Sequence, residues 1–191
     1  MKACAEEINP NTNNYWLLTE SNKKMALTND FVFNRLKEAF GDAIYNQEIA
    51  FDFMNVEIDP AFNQKILAFL KNEEELNFNY LTDLCGVHMP EQSGKELGVI
   101  YHLHNFENNY RFRLKAWVPE KNPQLGTASQ VWLGANWMER ETFDFYGIEF
   151  TGHPDLKRIL NVDHMDIFPM RKQYPMEDTT RTDKDDRFFG R

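Results

Sequence analysis

The chain has 191 residues, 42% of them apolar and 27% charged, with 16 phenylalanines and a formal net charge of −9. That length supports one well-packed domain with extensions. The acidic balance excludes a general nucleic-acid binder, which needs clustered lysine and arginine against phosphate.

Residues 1–25, opening MKACAEEINPNTNN, read as a polar, disordered lead-in without the apolar core of a signal peptide. A helix is predicted over Asn29–Phe40, with Thr28 or Asn29 as N-cap and Gly41 ending it. The alternating run AIYNQEIAFDFMNVEI reads as one strand with a single irregular point. Asp59-Pro60, an N-cap followed by proline at the first helical position, opens a second helix through Ile66, Leu67 and Leu70. Three strand-like runs follow: NFNYLTDLCGV, GVIYHLHNF and YRFRLKAWV. The last two are joined by a hairpin-like connection at Glu107-Asn108-Asn109, and Pro119 and Pro123 close the sheet. A third helix is predicted from Ala128 to Tyr146, stopped by Gly147. This order defines an α+β class, with helices packed on one face of a mainly antiparallel sheet. The body domain covers residues 26–150 and ends in that third helix.

Residues 151–191 read as an extended C-terminal arm. Pro154, Pro169 and Pro175 interrupt every periodic run, leaving at most one short helix, starting at Pro154. The arm holds eight Lys/Arg and eight Asp/Glu, so the acidity belongs to the body. Its Ile159, Leu160, Ile167, Phe168, Met170 and Tyr174 need cover, from the domain itself or from a partner chain.

Few kinds of chemistry survive the search for motifs. No dinucleotide or phosphate-binding glycine loop is present, nor a nucleophile elbow or a cysteine cluster for an iron–sulfur centre. Cys4 and Cys85 match no metal-ligand spacing and fit free thiols in a reducing, cytoplasmic setting. No apolar run approaches the ~18 residues of a membrane span. His102 and His104 share a strand face, as two metal ligands would. Without a third ligand nearby in the sequence they read as a polar outer face. His153, before Pro154, reads as a local hydrogen-bonding residue, and His88 and His164 stand alone.

The remaining concentration of charge is Glu139-Arg140-Glu141-Thr142-Phe143-Asp144, wedged among Trp137, Phe143, Phe145 and Tyr146. On a helix Arg140 and Asp144 are i,i+4 neighbours able to pair. Glu139 and Glu141 point about a hundred degrees to either side of Arg140. Carboxylates that diverge in this way do not make a metal or acid/base site. Buried charges persist when paired and hydrogen-bonded. The cluster therefore reads as a charge network tying helix to arm, with Arg158, Arg171 and Lys172 as partners of the right sign. No catalytic, cofactor-binding or metal-binding residue is assigned.

The run WMERETFDFYGIEFTGHPDLKRIL closely resembles the signature of the 30 kDa-type subunit (the C subunit) of proton-pumping NADH-quinone oxidoreductase, respiratory complex I. FPMRKQYP is similar to that family's second recurring stretch, and YLTDLCGVHMP, GVIYHLHNF and YRFRLKAWVPE resemble its body domain in the same order. The likeness spans roughly Leu27 to Met176. It departs at His88 and Gln173, where acidic residues are common in the family. The resemblance implies a cofactor-free structural subunit of the peripheral arm, supporting electron transfer from NADH to quinone coupled to proton translocation. It also implies a peripheral place on the cytoplasmic side of the inner (cell) membrane. The implied neighbours are the D-subunit homologue, related to hydrogenase large subunits, and iron–sulfur subunits, with FMN and the clusters held by partners. On this reading the helix contributes Trp137, Glu139, Arg140, Glu141, Asp144 and Gly147 to the interface or its support. The arm contributes Gly152, His153, Pro154 and Arg158, then Arg171, Lys172, Tyr174 and Pro175. A homologous subunit of a membrane-bound hydrogenase, or of a quinone oxidoreductase with another donor, fits the same residues. The contrasting class is a free-standing enzyme using Glu139, Glu141 or Asp144 as acid/base. Glu139→Gln separates the two classes: loss of a reaction marks the enzyme, loss of assembly the interface.

Overall fold

The computed structural model describes residues 27–51 and 53–175. The predicted lead-in over 1–25 and the arm's last stretch, 176–191, lie outside the described residues. Helix α1 (Asn29–Phe40) forms as expected. Thr28 caps it, with Oγ1 accepting from Phe31 N at 3.3 Å, and Gly41 ends it at φ 52°. The run read as one irregular strand folds instead as a hairpin, β1 (Ile44–Ala50) pairing antiparallel with β2 (Phe53–Ile58). The chain reverses at Phe51, φ 54°. Positive φ at an aromatic residue, in place of the Asn-Gly or Asp-Gly that marks a tight hairpin, left the alternation to read straight through the turn.

Asp59 Oδ1 accepts from Ala61 N at 2.9 Å and caps a 3-10 turn, Pro60–Phe62, that leads into α2 (Asn63–Asn72). Then β3 (Tyr80–His88), β4 (Leu97–Asn105) and β5 (Tyr110–Val118) form an antiparallel meander. The sheet order is β1-β2-β5-β4-β3, and only the β2–β5 pair is parallel. That exception follows from connectivity. Helix α2 carries the chain from β2 to the far edge, and three antiparallel strands bring it back.

The helices cover one face, as predicted. Val56, Tyr101 and Leu114 are register partners across β2, β4 and β5, and all are fully buried. Tyr101 Oη accepts from Asn63 Nδ2 of α2 at 2.9 Å, which satisfies the one polar atom on this buried ring. The other face carries Glu57, His102, Arg113 and Lys115. On the covered side the edge strand is bare at Gly86. A Cβ there would stand 2.4 Å from Tyr146 Cδ2 and 3.0 Å from Thr142 Cγ2, so helix α3 (Ala135–Tyr146) lies directly on the backbone of β3.

Helix α3 begins seven residues later than predicted. Ala128–Gly134 makes turns, with Val131 and Trp132 both donating to Ala128 O at 2.9 Å. The break has a geometric cause. Ala128 N donates to Glu139 Oε1 at 2.5 Å, whereas one straight helix would separate these residues by ~16 Å at 1.5 Å per residue. A small parallel pair, β6 (Gln124–Gly126) with β7 (Glu149–Thr151), brackets α3. Three-residue strands carry too little alternation to read from sequence. Past β7, residues 152–175 run as turns and bends, and the short helix at Pro154 does not form. The N–H groups of Ile159, Leu160 and Asn161 donate to Asp144 instead of to carbonyls one turn back.

Candidate functional site at the helix–arm joint

Asp144 organises the joint. Its Oδ1 accepts from Arg158 Nη1 at 2.8 Å and Asn161 Nδ2 at 3.0 Å. Its Oδ2 accepts from the backbone N–H groups of Ile159, Leu160 and Asn161 at 3.2, 2.8 and 2.8 Å. Burial alone would push this carboxyl's pKa up. The Asn161 N–H, the Arg158 guanidinium, the Leu160 N–H and the Asn161 amide outweigh it and hold Asp144 well below the usual carboxylate range. Arg158 also donates to Asp144 O, Met165 O and Ile167 O at 3.0, 2.6 and 3.1 Å. One ion pair thus anchors the arm to the last turn of α3.

The expected Arg140–Asp144 pair does not form. Arg140 reaches the arm instead, donating to Lys157 O at 3.2 Å and Arg158 O at 3.0 Å. Its guanidinium lies over the exposed Trp137 ring, 4.9 Å from the centroid. Asp144's donors all come from the arm, which pulls its side chain away from the helix surface that Arg140 follows. Arg171 is the second anchor, donating to Tyr146 O at 2.8 Å and to Glu120 Oε1 at 2.9 Å. Phe168 lies between the two anchors, 5.1 Å from Arg158 and 4.8 Å from Arg171. Lys172 contributes its backbone, not its charge, by donating N–H to His88 Nδ1 at 2.9 Å. Tyr174 closes a turn through its N–H to Arg171 O at 3.0 Å, and Pro175 is exposed beside it. Gly152 takes φ 86° as the chain leaves β7, and Pro154 is exposed.

Glu139 departs from the predicted charge network. It is fully buried and accepts from Thr127 Oγ1 at 2.6 Å and Ala128 N at 2.5 Å. Among the described residues no arginine or lysine pairs with it. Burial pushes its carboxyl up to about 7 against the opposing bonds from Thr127 and Ala128. His153 Nε2 lies 3.9 Å from Glu139 Oε2. That nitrogen contacts Asn136 O at 3.1 Å, and Nδ1 accepts from Asp155 N at 3.1 Å. The neutral Nε2–H tautomer satisfies both contacts, so the local bonding role read for His153 holds. Glu141 is exposed on the side of α3 facing the edge strand.

Gly147 joins helix and arm more tightly than a simple stop. It caps α3 at φ 73°, and a Cβ there would meet Phe168 Cε2 at 2.5 Å. Gly147→Ala combines a left-handed conformation with an overlap, so a loss of about 1–3 kcal/mol is expected. Urea unfolding of the full chain measures it, and an unchanged midpoint would contradict the packing described. Sequence reasoning missed Thr127, Glu120, His88 and Phe168 as supports of the joint. Thr127, Glu120 and His88 lie 12, 51 and 84 residues from their partners, separations that no local pattern spans.

Taken together, fold and joint define a class: a two-layer α+β domain whose last helix is locked to an irregular arm by a buried carboxylate and two arginines. Within that class the chain belongs to the family described as respiratory-chain NADH dehydrogenase, 30 Kd subunit, whose model matches residues 56–180. The chain is similar to the C subunit of NADH-quinone oxidoreductase from Roseiflexus castenholzii, at 38% identity over 170 residues, covering 87% of this chain and 96% of the relative. The corresponding C 2 subunit from Rhizobium meliloti is 40% identical over 139 residues, covering 72% and 75%. Among solved structures, the trypsin-resistant fragment (1–134) of Nqo5 superposes with a TM-score of 0.55 at 29% identity, covering 65% of this chain and 98% of the fragment. A chain of the membrane-bound sulfane sulfur reductase, an archaeal respiratory membrane complex, gives a TM-score of 0.64 at 19% identity, covering 77% and 85%, a likeness of fold alone. Among the described residues no helix is long and apolar enough to cross a membrane.

Proposed function

We propose that this chain is a structural subunit of the peripheral arm of a proton-translocating NADH-quinone oxidoreductase, holding no flavin, iron–sulfur cluster or nicotinamide itself. It supports electron transfer from NADH to quinone by assembly. Its neighbours are the D-subunit homologue and the adjacent iron–sulfur subunits. FMN and the clusters reside on partners, and the complex alone brings the chain to the cytoplasmic face of the membrane. One observation carries this reading: the two buried carboxylates of the signature, Glu139 and Asp144, are used up in structure, while Glu141 stands exposed without a catalytic partner among the described residues. Both oxygens of Asp144 and of Glu139 are engaged by donors of the same chain, so neither is poised over a substrate. The surface of helix, arm and the turn before the helix meanwhile keeps Trp137, Leu160, Val162, Met170 and Leu133 exposed, apolar area that a neighbouring protein of the complex would cover.

The test is to isolate membranes containing the tagged full chain, solubilise them gently and identify what co-purifies. Flavin and iron–sulfur subunits with NADH:quinone reductase activity are expected. A nickel-binding large subunit in their place would move the chain to a membrane-bound hydrogenase. Recovery of a solitary, catalytically active monomer would overturn the assembly reading altogether.

A further inference from the structure

The open face of the sheet carries a constellation that the linear sequence hides. Asp83 and His102 are direct partners across β3 and β4. Cys85 lies two residues beyond Asp83 on the same strand and therefore on the same face. One ligand atom from each residue lies within 4.8 Å of the other two. With metal–ligand bonds of ~2.0–2.3 Å, side-chain rotations moving these atoms by about an ångström bring all three onto one ion. The register between β3 and β4 shifts between Leu81 and Asp83. An extra residue at that point re-aims the side chains that follow it, and such irregularities cluster beside sites.

We propose that Asp83, Cys85 and His102 bind one borderline divalent transition-metal ion of the zinc class as a three-point ligand set, with the fourth position open to solvent. Mixed sulfur, nitrogen and oxygen donors suit that class, whereas calcium and magnesium take oxygen shells. Thiolate and carboxylate together supply two negative charges to a dication. Asp83 Oδ1 already accepts from Leu84 N at 2.9 Å, which orients the carboxylate and leaves its other oxygen for the ion. A competing cation is Arg113, the partner of His102 on β5. It is drawn toward β2, donating to Asn55 Oδ1 at 3.0 Å and lying 5.4 Å from the Phe53 ring. A cavity of about 310 Å³ beside the edge strand is lined by Asp83, Cys85, Glu141, Tyr146 and Met170. It opens beside two of the three ligands, Asp83 and Cys85, and leaves room there for water. Zinc is redox-inert, so the ion cross-links the edge strand to β4 and adds no electron-transfer centre.

The experiment uses the full chain carrying Cys4→Ser, so that any thiolate signal reports Cys85. Titration with Co²⁺ should give a sulfur-to-cobalt charge-transfer band saturating at one equivalent and bleached by one equivalent of Zn²⁺. In Cys85→Ser the band should vanish. Zn²⁺ affinity should fall more than about tenfold in each of Cys85→Ser, His102→Gln and Asp83→Asn, since loss of even an outer-shell partner costs that much. Near-UV circular dichroism verifies the folding of each variant, and exposed Asp83→Asn supplies a readout if a half-buried substitution disrupts the strand. Absence of the band, or Zn²⁺ affinity unchanged in the folded variants, would overturn the site.

Discussion

Replacing Asp144 with alanine is expected to destabilise the full chain by about 3–5 kcal/mol, the loss that follows removal of one member of a buried ion pair. The Arg158 side chain, only 8% exposed, would be left without its carboxylate, and the N–H groups of Ile159, Leu160 and Asn161 would lose their acceptor together. Asp144→Asn keeps the volume but turns an amide N–H toward donors on either side, so it should cost about 1–3 kcal/mol and rank between alanine and the parent. Acid acts on the same contact. Because the folded-state pKa is depressed, the stabilisation is fully present above the unfolded carboxyl value, ~3.9, and drains as pH falls toward the folded value. Urea unfolding at neutral pH gives the ranking, and limited proteolysis across residues 152–175 shows whether the arm has come loose. Parent-like stability and protease resistance in Asp144→Ala would mean that the arm is held by something else. In the complex, the same variant should assemble poorly, because the arm presents its apolar residues only while latched.

The sequence made the body legible because its rules are local. Thr28 and Gly41 bracket α1, Asp59-Pro60 opens the route to α2, and three alternating runs become β3, β4 and β5 within a few residues of their predicted bounds. The failures share one physical cause, which is tertiary contact overriding local pattern. The β1–β2 hairpin turns at a positive-φ phenylalanine. Helix α3 starts late because Glu139 reaches back to Ala128. The arm stays irregular because Asp144 captures three of its N–H groups. At the joint, of the three cations whose sign suited the cluster, Arg158 pairs with Asp144, Arg171 pairs with Glu120 outside it, and Lys172 contributes only its backbone. The spacing offered Asp144 a partner in Arg140, which it does not take, and gave no sign that Glu139 would be buried without one. The difference between the two depends on whether the arm or the 127–128 turn packs over each carboxylate.

Glu139→Gln is therefore expected to act in the opposite direction from Asp144→Ala. The Glu139 carboxyl titrates at about 7 in the folded chain because burial disfavours the anion, and at an ordinary value near ~4.3 when unfolded. Between those values the folded state binds the extra proton, so stability falls as pH rises through the window and levels off above it. At ~1.36 kcal/mol per pKa unit the whole window is worth up to about 4 kcal/mol. Glutamine has the shape of the protonated acid. Its Oε1 can accept from Ala128 N and its amide can donate to Thr127 Oγ1 once that hydroxyl turns toward Ser129 Oγ, 2.7 Å away. The variant should equal the parent near pH 4, below the window, exceed it near pH 8 by as much as the parent lost, and lack the fall that Glu139 gives the parent between. Urea midpoints at the two pH values decide the matter. A parent level across the window, or a variant weaker at pH 8, would show that Glu139 is held as an anion. Assembly should survive this substitution, in contrast to what an arginine-paired Glu139 would require. The two carboxylates of one helix thus hold the joint by different means: Asp144 as a charge saturated with donors, Glu139 as an acid kept neutral by burial.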